Sequence, residues 1–164
     1  MGKSGSYTVP GLGARKAQLL SAGATLADMA IAMLESDHML ADYVYGDGKT
    51  GDAANFGIFK QNWMMIRAAW QPFVTLGEKD YHRGAALNAN LSLDMQVLHA
   101  CQSKYGLASA WWAGHRNGAS GLRAPNTADI QAYRNAVKWI ESQLVSRPAS
   151  RTDDTRFYVE VIAI

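Results

Sequence analysis

Several things are scarce in this chain, and each scarcity excludes something. It has one cysteine in 164 residues, Cys101. An internal disulfide and a thiolate cluster for zinc or iron–sulfur are therefore excluded. Cys101 falls in the apolar pattern of a helix, where a buried, inert thiol is the expectation. No stretch of about 18 apolar residues occurs, so no membrane span is expected. Charged residues make up 18%, and 16 Lys plus Arg against 14 Asp plus Glu leave a formal +2. No basic run is long enough for a nucleic-acid stripe. The four histidines are scattered, and no spacing supports a metal site. No metal and no cofactor are expected.

What is present describes a folded body. Apolar residues make up 48%, and a chain of this length removes roughly two thirds of its unfolded surface from water. One domain over residues 1–164 is expected, with a flexible, Gly-containing stretch at 1–9. A helix is expected from about Ala14 to Ala22. The next is marked by Thr25 as cap, Asp28 three residues on, and Leu26, Met29, Ala30, Met33 and Leu34 at helical spacing. Glu35 ends that helix, where the dipole gives an acid no support. Tyr43–Val44–Tyr45 and Asn55–Phe56–Gly57–Ile58–Phe59 read as short strands around the turn formers Gly46 to Asp52.

Helical pattern resumes near Gln61 and stops at Pro72. Residues 72–84 read as a loop. A long helix follows from Leu87 to Tyr105, ended by Gly106. A short helix from Leu107 to Ala113 leads into a loop at Gly114–Gly118. Ile130, Tyr133, Val137, Ile140 and Leu144 mark another helix. Residues 146–156 read as loose, and Phe157 to Ile164 as a strand or an apolar strap. The fold class is α+β, mainly helical with a small antiparallel sheet or hairpin.

With acids few, their placement carries weight. Glu35 at a helix end and Asp47 and Asp52 on a hairpin would put a carboxyl on each of two cleft walls, the layout of glycosidic hydrolysis. One carboxyl must carry a proton to the leaving oxygen, and the apolar flank of Glu35 suits that role. The other must stay ionised, which a polar, Gly-rich hairpin allows. The bland alternatives are a solvated helix end and ordinary turn aspartates. Calcium binding by Asp47 and Asp52 is a third reading, but the helix–loop–helix calcium pattern is not matched.

The run Met33–Leu34–Glu35–Ser36–Asp37, then Asp47–Gly48, then Asn55–Phe56–Gly57–Ile58–Phe59–Lys60–Gln61–Asn62, resembles the lysozyme core. Adding Asp37–His38, Tyr43 and Gly46–Asp47–Gly48–Lys49, the pattern resembles the small secreted endo-β-1,4-mannanases of lysozyme-like fold, over about residues 10–164. That resemblance implies a metal-free, inverting hydrolase of β-1,4-mannan and manno-oligosaccharides. It implies Glu35 as general acid and Asp47 as general base, with Asp52 as runner-up. Chicken-type lysozymes place an Asp directly before the aromatic-Gly pair, where this chain has Asn55. This departure speaks against a retaining mechanism and against peptidoglycan.

The resemblance also implies a secreted protein. Met1–Ser6 contains no hydrophobic signal core, so a removed signal peptide is expected. A monomer is expected, with neither nucleic acid nor membrane as partner.

For the rest of a sugar cleft the candidates are Tyr43, Lys49, Asn55, Phe56, Asn62, Trp63, Trp111 and the polar run His115–Arg116–Asn117. Trp111 and Trp112 point about 100° apart on a helix, so one is expected in the core and the other at the cleft. The competing functions are a lysozyme-like hydrolase of peptidoglycan or chitin and a non-catalytic carbohydrate-binding module.

Overall fold

The computed structural model describes residues 2–161. The fold is mainly helical α+β with small antiparallel sheets. The chain forms two compact units, one from residues 1–40 with 131–164 and one from residues 41–130.

In the first unit, strand β1 (Ser4–Thr8) is followed by helix α1 (Leu12–Ser21) and helix α2 (Leu26–Glu35). The capping box at the start of α2 forms as the sequence predicts. Thr25 accepts from the Asp28 backbone N–H at 3.0 Å, and Asp28 accepts from the Thr25 N–H at 3.0 Å, so two orphan donors are satisfied. Met29 to Met33 are buried along α2. Residues 4–8, expected to be flexible, instead form β1, antiparallel to strand β4 (Thr155–Val159) with Ser4 opposite Val159 and Thr8 opposite Thr155. Partners about 150 residues away are invisible to a local reading of a Gly-containing segment. The strand expected over Phe157–Ile164 is thus shifted, and residues 162–164 lie outside the described ones.

Two cations tie this unit together. Arg156 on β4 donates to the Met33 carbonyl at 2.9 Å and to the Tyr7 hydroxyl at 2.7 Å. A cation there complements the C-terminal dipole of α2. Lys16 on α1 is fully buried and donates to the carbonyls of Ser150 and Thr155, both at 2.6 Å. Burial lowers the Lys16 pKa, with the Asp153 carboxylate opposing. From Gln131 on, helix α7 (Ala128–Ser146) belongs to this unit and buries Tyr133, Val137, Ile140 and Leu144.

The second unit opens with two 3-10 turns, Tyr45–Gly48 and Gly51–Ala53. The hairpin comes later than the sequence reading placed it. Strand β2 (Asn55–Phe56) pairs with strand β3 (Gln61–Asn62) around a turn at 57–60. Tyr43–Tyr45 is no strand, because the 46–52 segment coils into 3-10 turns and brings no partner strand back. The aromatic-Gly-Ile-Phe run is itself the turn. Gly57 has φ +79, and a Cβ there would collide with the Asp94 carboxylate. Asp94, fully buried, accepts from the Ile58 N–H at 2.7 Å and the Gln61 amide at 2.8 Å, fixing the hairpin from beneath.

Helix α3 (Trp63–Ala69) starts at Asn62. The expected loop 72–84 contains a 3-10 segment, Glu78–Ala85. The long helix divides into α4 (Ala86–Ala89) and α5 (Leu91–Tyr105), since the Asn90 side chain caps the Leu93 N–H at 3.0 Å. Helix α6 (Ala110–Arg123) enters the expected Gly114–Gly118 loop as helix and kinks at Gly118, whose φ 59 and ψ -140 are not helical. Gly114 lies against Met65 and Gly121 against the Ala113 carbonyl. The break at Gly118 folds the chain back so that position 121 reaches position 113, and glycine leaves room for that close approach.

Candidate active site

Glu35 belongs to the first unit. It closes α2, is half-buried, and its Oε1 accepts a 2.6 Å hydrogen bond from the Tyr133 hydroxyl of α7. Tyr133 is itself 5% exposed, so the phenol is held by packing and its hydrogen fixes one carboxyl oxygen. Arg156, bonded to the carbonyl of Met33 two residues before Glu35, pins the same helix end.

Asp47 belongs to the second unit and sits in the Tyr45–Gly48 turn with φ 59. Its Oδ2 accepts from the Asn55 amide at 3.1 Å, and its Oδ1 lies 3.4 Å from the Lys60 ammonium. Lys60 also has a left-handed backbone, φ 50, and its ammonium lies 4.8 Å from the Tyr43 ring centroid. The described non-glycine residues with positive φ are Met39, Asp47 and Lys60. Two of the three therefore meet in one ion pair. Strained backbone concentrates at functional positions, because the surrounding structure must hold it there. Tyr43 donates to the Gly57 carbonyl at 2.7 Å, which anchors its ring to the hairpin turn.

Asp52 has a different environment. Arg67 of α3 grips it with two of its three nitrogens, Nε and Nη2, at 2.8 and 2.9 Å. The hydrogen-bonded Asp52 carboxylate raises the Arg67 pKa further. A bidentate guanidinium clamp is short and strong, so Asp52 reads as the tie between α3 and the Gly51–Ala53 turn.

The remaining sequence candidates divide sharply. Asn55 orients Asp47, and Lys49 is exposed in the same region. Phe56 and Trp63 are fully buried, with the Trp63 indole N–H donating to the Gly77 carbonyl at 3.0 Å. They offer no face to a sugar and are core residues. Asn62 is buried and committed: its oxygen caps the Met65 N–H at 3.0 Å and its amide donates to the Gly114 carbonyl at 2.9 Å. Trp111 is 1% exposed and Trp112 8%, so both go inward, and the expectation of one at a cleft does not hold. The helix turns between them, but each meets packed neighbours. Trp111 stacks on His115 at 4.6 Å and 14°, while Asn117 donates to Asp129 at 2.7 Å. Hydrogen bonds from Thr127 and Asn117 hold the Asp129 carboxyl below its usual range. His115, Arg116 and Asn117 are half-buried on a helix rather than displayed on a loop.

The family model for glycosyl hydrolase family 134 matches residues 13–161. The chain belongs to this family. It is a glycoside hydrolase, and this match spans α1 to the end of β4, including all three candidate carboxylates. A search of curated proteins gives no match to this chain. Among the described residues no helix is long and apolar enough to cross a membrane, and no group of three or more His, Cys, Asp or Glu is placed to hold a metal ion.

Two side chains that contact the candidate carboxylates are not marked by the sequence as site residues. Tyr133 lies on the apolar face of α7, where periodicity counts it as core. Lys60 is a lone charge in the otherwise apolar and amide-bearing run from Asn55 to Asn62, and that contrast was the available signal.

Proposed function

We propose that this glycoside hydrolase is an endo-acting enzyme that cleaves β-1,4-mannosidic bonds with inversion, with Glu35 as general acid and Asp47 as general base. The observation that carries the assignment is the contrast between the two aspartates. Asp47 is oriented by one amide and one ammonium in a strained turn, whereas Asp52 is clamped by Arg67.

The chemistry runs as follows. The Glu35 proton passes to the glycosidic oxygen as the bond from that oxygen to the anomeric carbon breaks. Asp47 takes a proton from a water whose oxygen attacks the anomeric carbon from the opposite face. The product anomer is inverted, Glu35 ends ionised and Asp47 protonated, and solvent restores both. This scheme requires the carboxyls to stand about 6.5–9.5 Å apart, with room for the water. The Tyr133 hydrogen bond to Oε1 stabilises the Glu35 carboxylate that forms. The Asn55 and Lys60 donors orient Asp47 toward its water. The polymer substrate fits a secreted monomer that needs neither metal nor cofactor.

The test is incubation with linear mannan, cellulose, chitin and peptidoglycan, with the first product anomer read by NMR. Manno-oligosaccharides released from mannan alone, with the inverted anomer first, are expected. Release from cell walls or chitin but not mannan would replace this reading with the lysozyme-like one. A retained anomer would remove Asp47 from the role of base. Glu35→Gln is expected to bind manno-oligosaccharide without cleaving it. Binding without cleavage by the unmodified protein would favour a binding module.

A further inference from the structure

The second unit carries a built aromatic cluster that the catalytic scheme leaves unused. Tyr45 is 49% exposed and its neighbour Val44 73%. The Tyr45 hydroxyl lies 3.0 Å from His82 Nδ1, and the two rings stack at 5.7 Å and 28°. His82 is exposed and its ring also lies 4.0 Å from that of the half-buried Tyr81. The cluster is anchored from below. Tyr45 meets the fully buried Phe56 edge-on at 5.7 Å, and Phe56 packs so closely on Gly84 that a Cβ there would strike its ring. The segment bearing Tyr81 and His82 is fixed at its start by Asp80, which accepts from the Gly77 N–H at 2.8 Å. Scattered surface aromatics need no explanation. Three rings locked together by a hydrogen bond, a stack and a buried anchor are preorganised, which lowers the entropic cost of binding.

The chemistry of the cluster selects its occupant. The face of a β-linked hexopyranose that carries the axial hydrogens of C1, C3 and C5 is apolar, and the ring edge carries hydroxyls. A patch of aromatic surface rimmed by phenol and imidazole matches both. Tyr45 shares the Tyr45–Gly48 turn with Asp47, so the cluster and the candidate base sit on one local element. We propose that Tyr45, His82 and Tyr81, with Val44 at the rim, form a stacking subsite for one pyranose ring of the β-1,4-linked chain. The identity of that sugar as mannose rests on the mannan reading above.

The experiment uses full-length protein carrying Glu35→Gln, titrated calorimetrically with mannohexaose, cellohexaose and chitohexaose. Tyr45→Ala and His82→Ala are then added singly, and thermal unfolding is recorded for each. The Kd for mannohexaose is expected to rise about tenfold with Tyr45→Ala, a loss of about 1.4 kcal/mol, and severalfold with His82→Ala. Affinities within twofold of the parent in both variants overturn the subsite. If Tyr45→Ala does not fold, His82→Ala decides alone, since His82 lies outside the core. If the parent binds cellohexaose or chitohexaose instead of mannohexaose, the mannan reading fails. The subsite then stands or falls on whether that binding weakens in the same two variants. If no hexaose binds the parent, the subsite is overturned.

Discussion

Replacing Asp47 and Asp52 separately by Asn should split activity from stability. At Asp47 the replacement removes a charge but little else. The Lys60 contact is 3.4 Å long between side chains 22% and 28% exposed, and pairs of that kind contribute about 0.2–1 kcal/mol. The backbone sits at φ 59, a region where Asn is as much at home as Asp. The turn should therefore persist, with a stability change under about 1 kcal/mol. Turnover of mannan should fall about 10²–10⁴-fold, the usual worth of a general base. Asp52→Asn should do the reverse. It weakens two charge-assisted hydrogen bonds at 2.8 and 2.9 Å and leaves the half-buried Arg67 guanidinium with a neutral partner. The expected loss is about 1–3 kcal/mol, seen as a drop of about 3–10 °C in Tm for a chain of this size. Activity should stay within about tenfold. Reducing-end release from mannan and a thermal unfolding scan on both variants give the four numbers. An inactive Asp52→Asn protein with unchanged Tm, or an Asp47→Asn protein keeping more than about a tenth of its activity, would falsify the assignment.

Three further outcomes follow from the structure. Tyr133→Phe removes the 2.6 Å hydrogen bond to Glu35 while keeping the ring, so kcat on mannan should fall about tenfold with KM nearly unchanged. On a dinitrophenyl β-mannoside, whose leaving group needs no proton, the deficit should vanish; an equal deficit on both substrates would mean that Tyr133 acts only through the fold. Asp94→Ala strands the buried Ile58 N–H and Gln61 amide and should cost about 3–5 kcal/mol in urea unfolding, against which a loss below about 1 kcal/mol would count. Cys101 is 1% exposed, and burial pushes its pKa up to about 12. It holds its proton at neutral pH and should ignore a disulfide reagent until denaturant is added. As pH rises toward about 12 the native state must form a buried thiolate, so this group's contribution to stability declines over that range. Rapid labelling of native protein at neutral pH would contradict that burial.

Local chemistry made part of this protein readable. The Thr25–Asp28 capping box, the apolar face of α2 and Glu35 at its end all follow from spacing within one helix. Position brought Asp47 and Asp52 forward together, and only the family resemblance ranked Asp47 first. The errors have a common cause. Gly-rich stretches read as loops or hairpin turns became 3-10 turns near Asp47 and a helix that breaks only at Gly118, because distant atoms decide what a glycine does. Trp63 and Phe56 read equally well as sugar platforms or core, and only the finished packing separates these. Tyr133, Arg67 and Asp94 serve as partners to residues 98, 15 and 36 positions away, distances over which no periodicity speaks.

The pairing of β1 with β4 also bears on how the molecule comes into being. Residues 41–130 are contiguous and can condense as soon as they leave the ribosome, whereas Ser4–Thr8 must wait for Thr155–Val159. Long-range closure of this kind is slow, because the intervening chain's entropy is lost before the strands reward it. Glu35 receives its Tyr133 hydroxyl and its helix receives Arg156 only in that last step. A nascent chain therefore holds the surroundings of Asp47 early and those of Glu35 late, so its ability to act on a sugar would be switched on by the final strand rather than accumulate during synthesis.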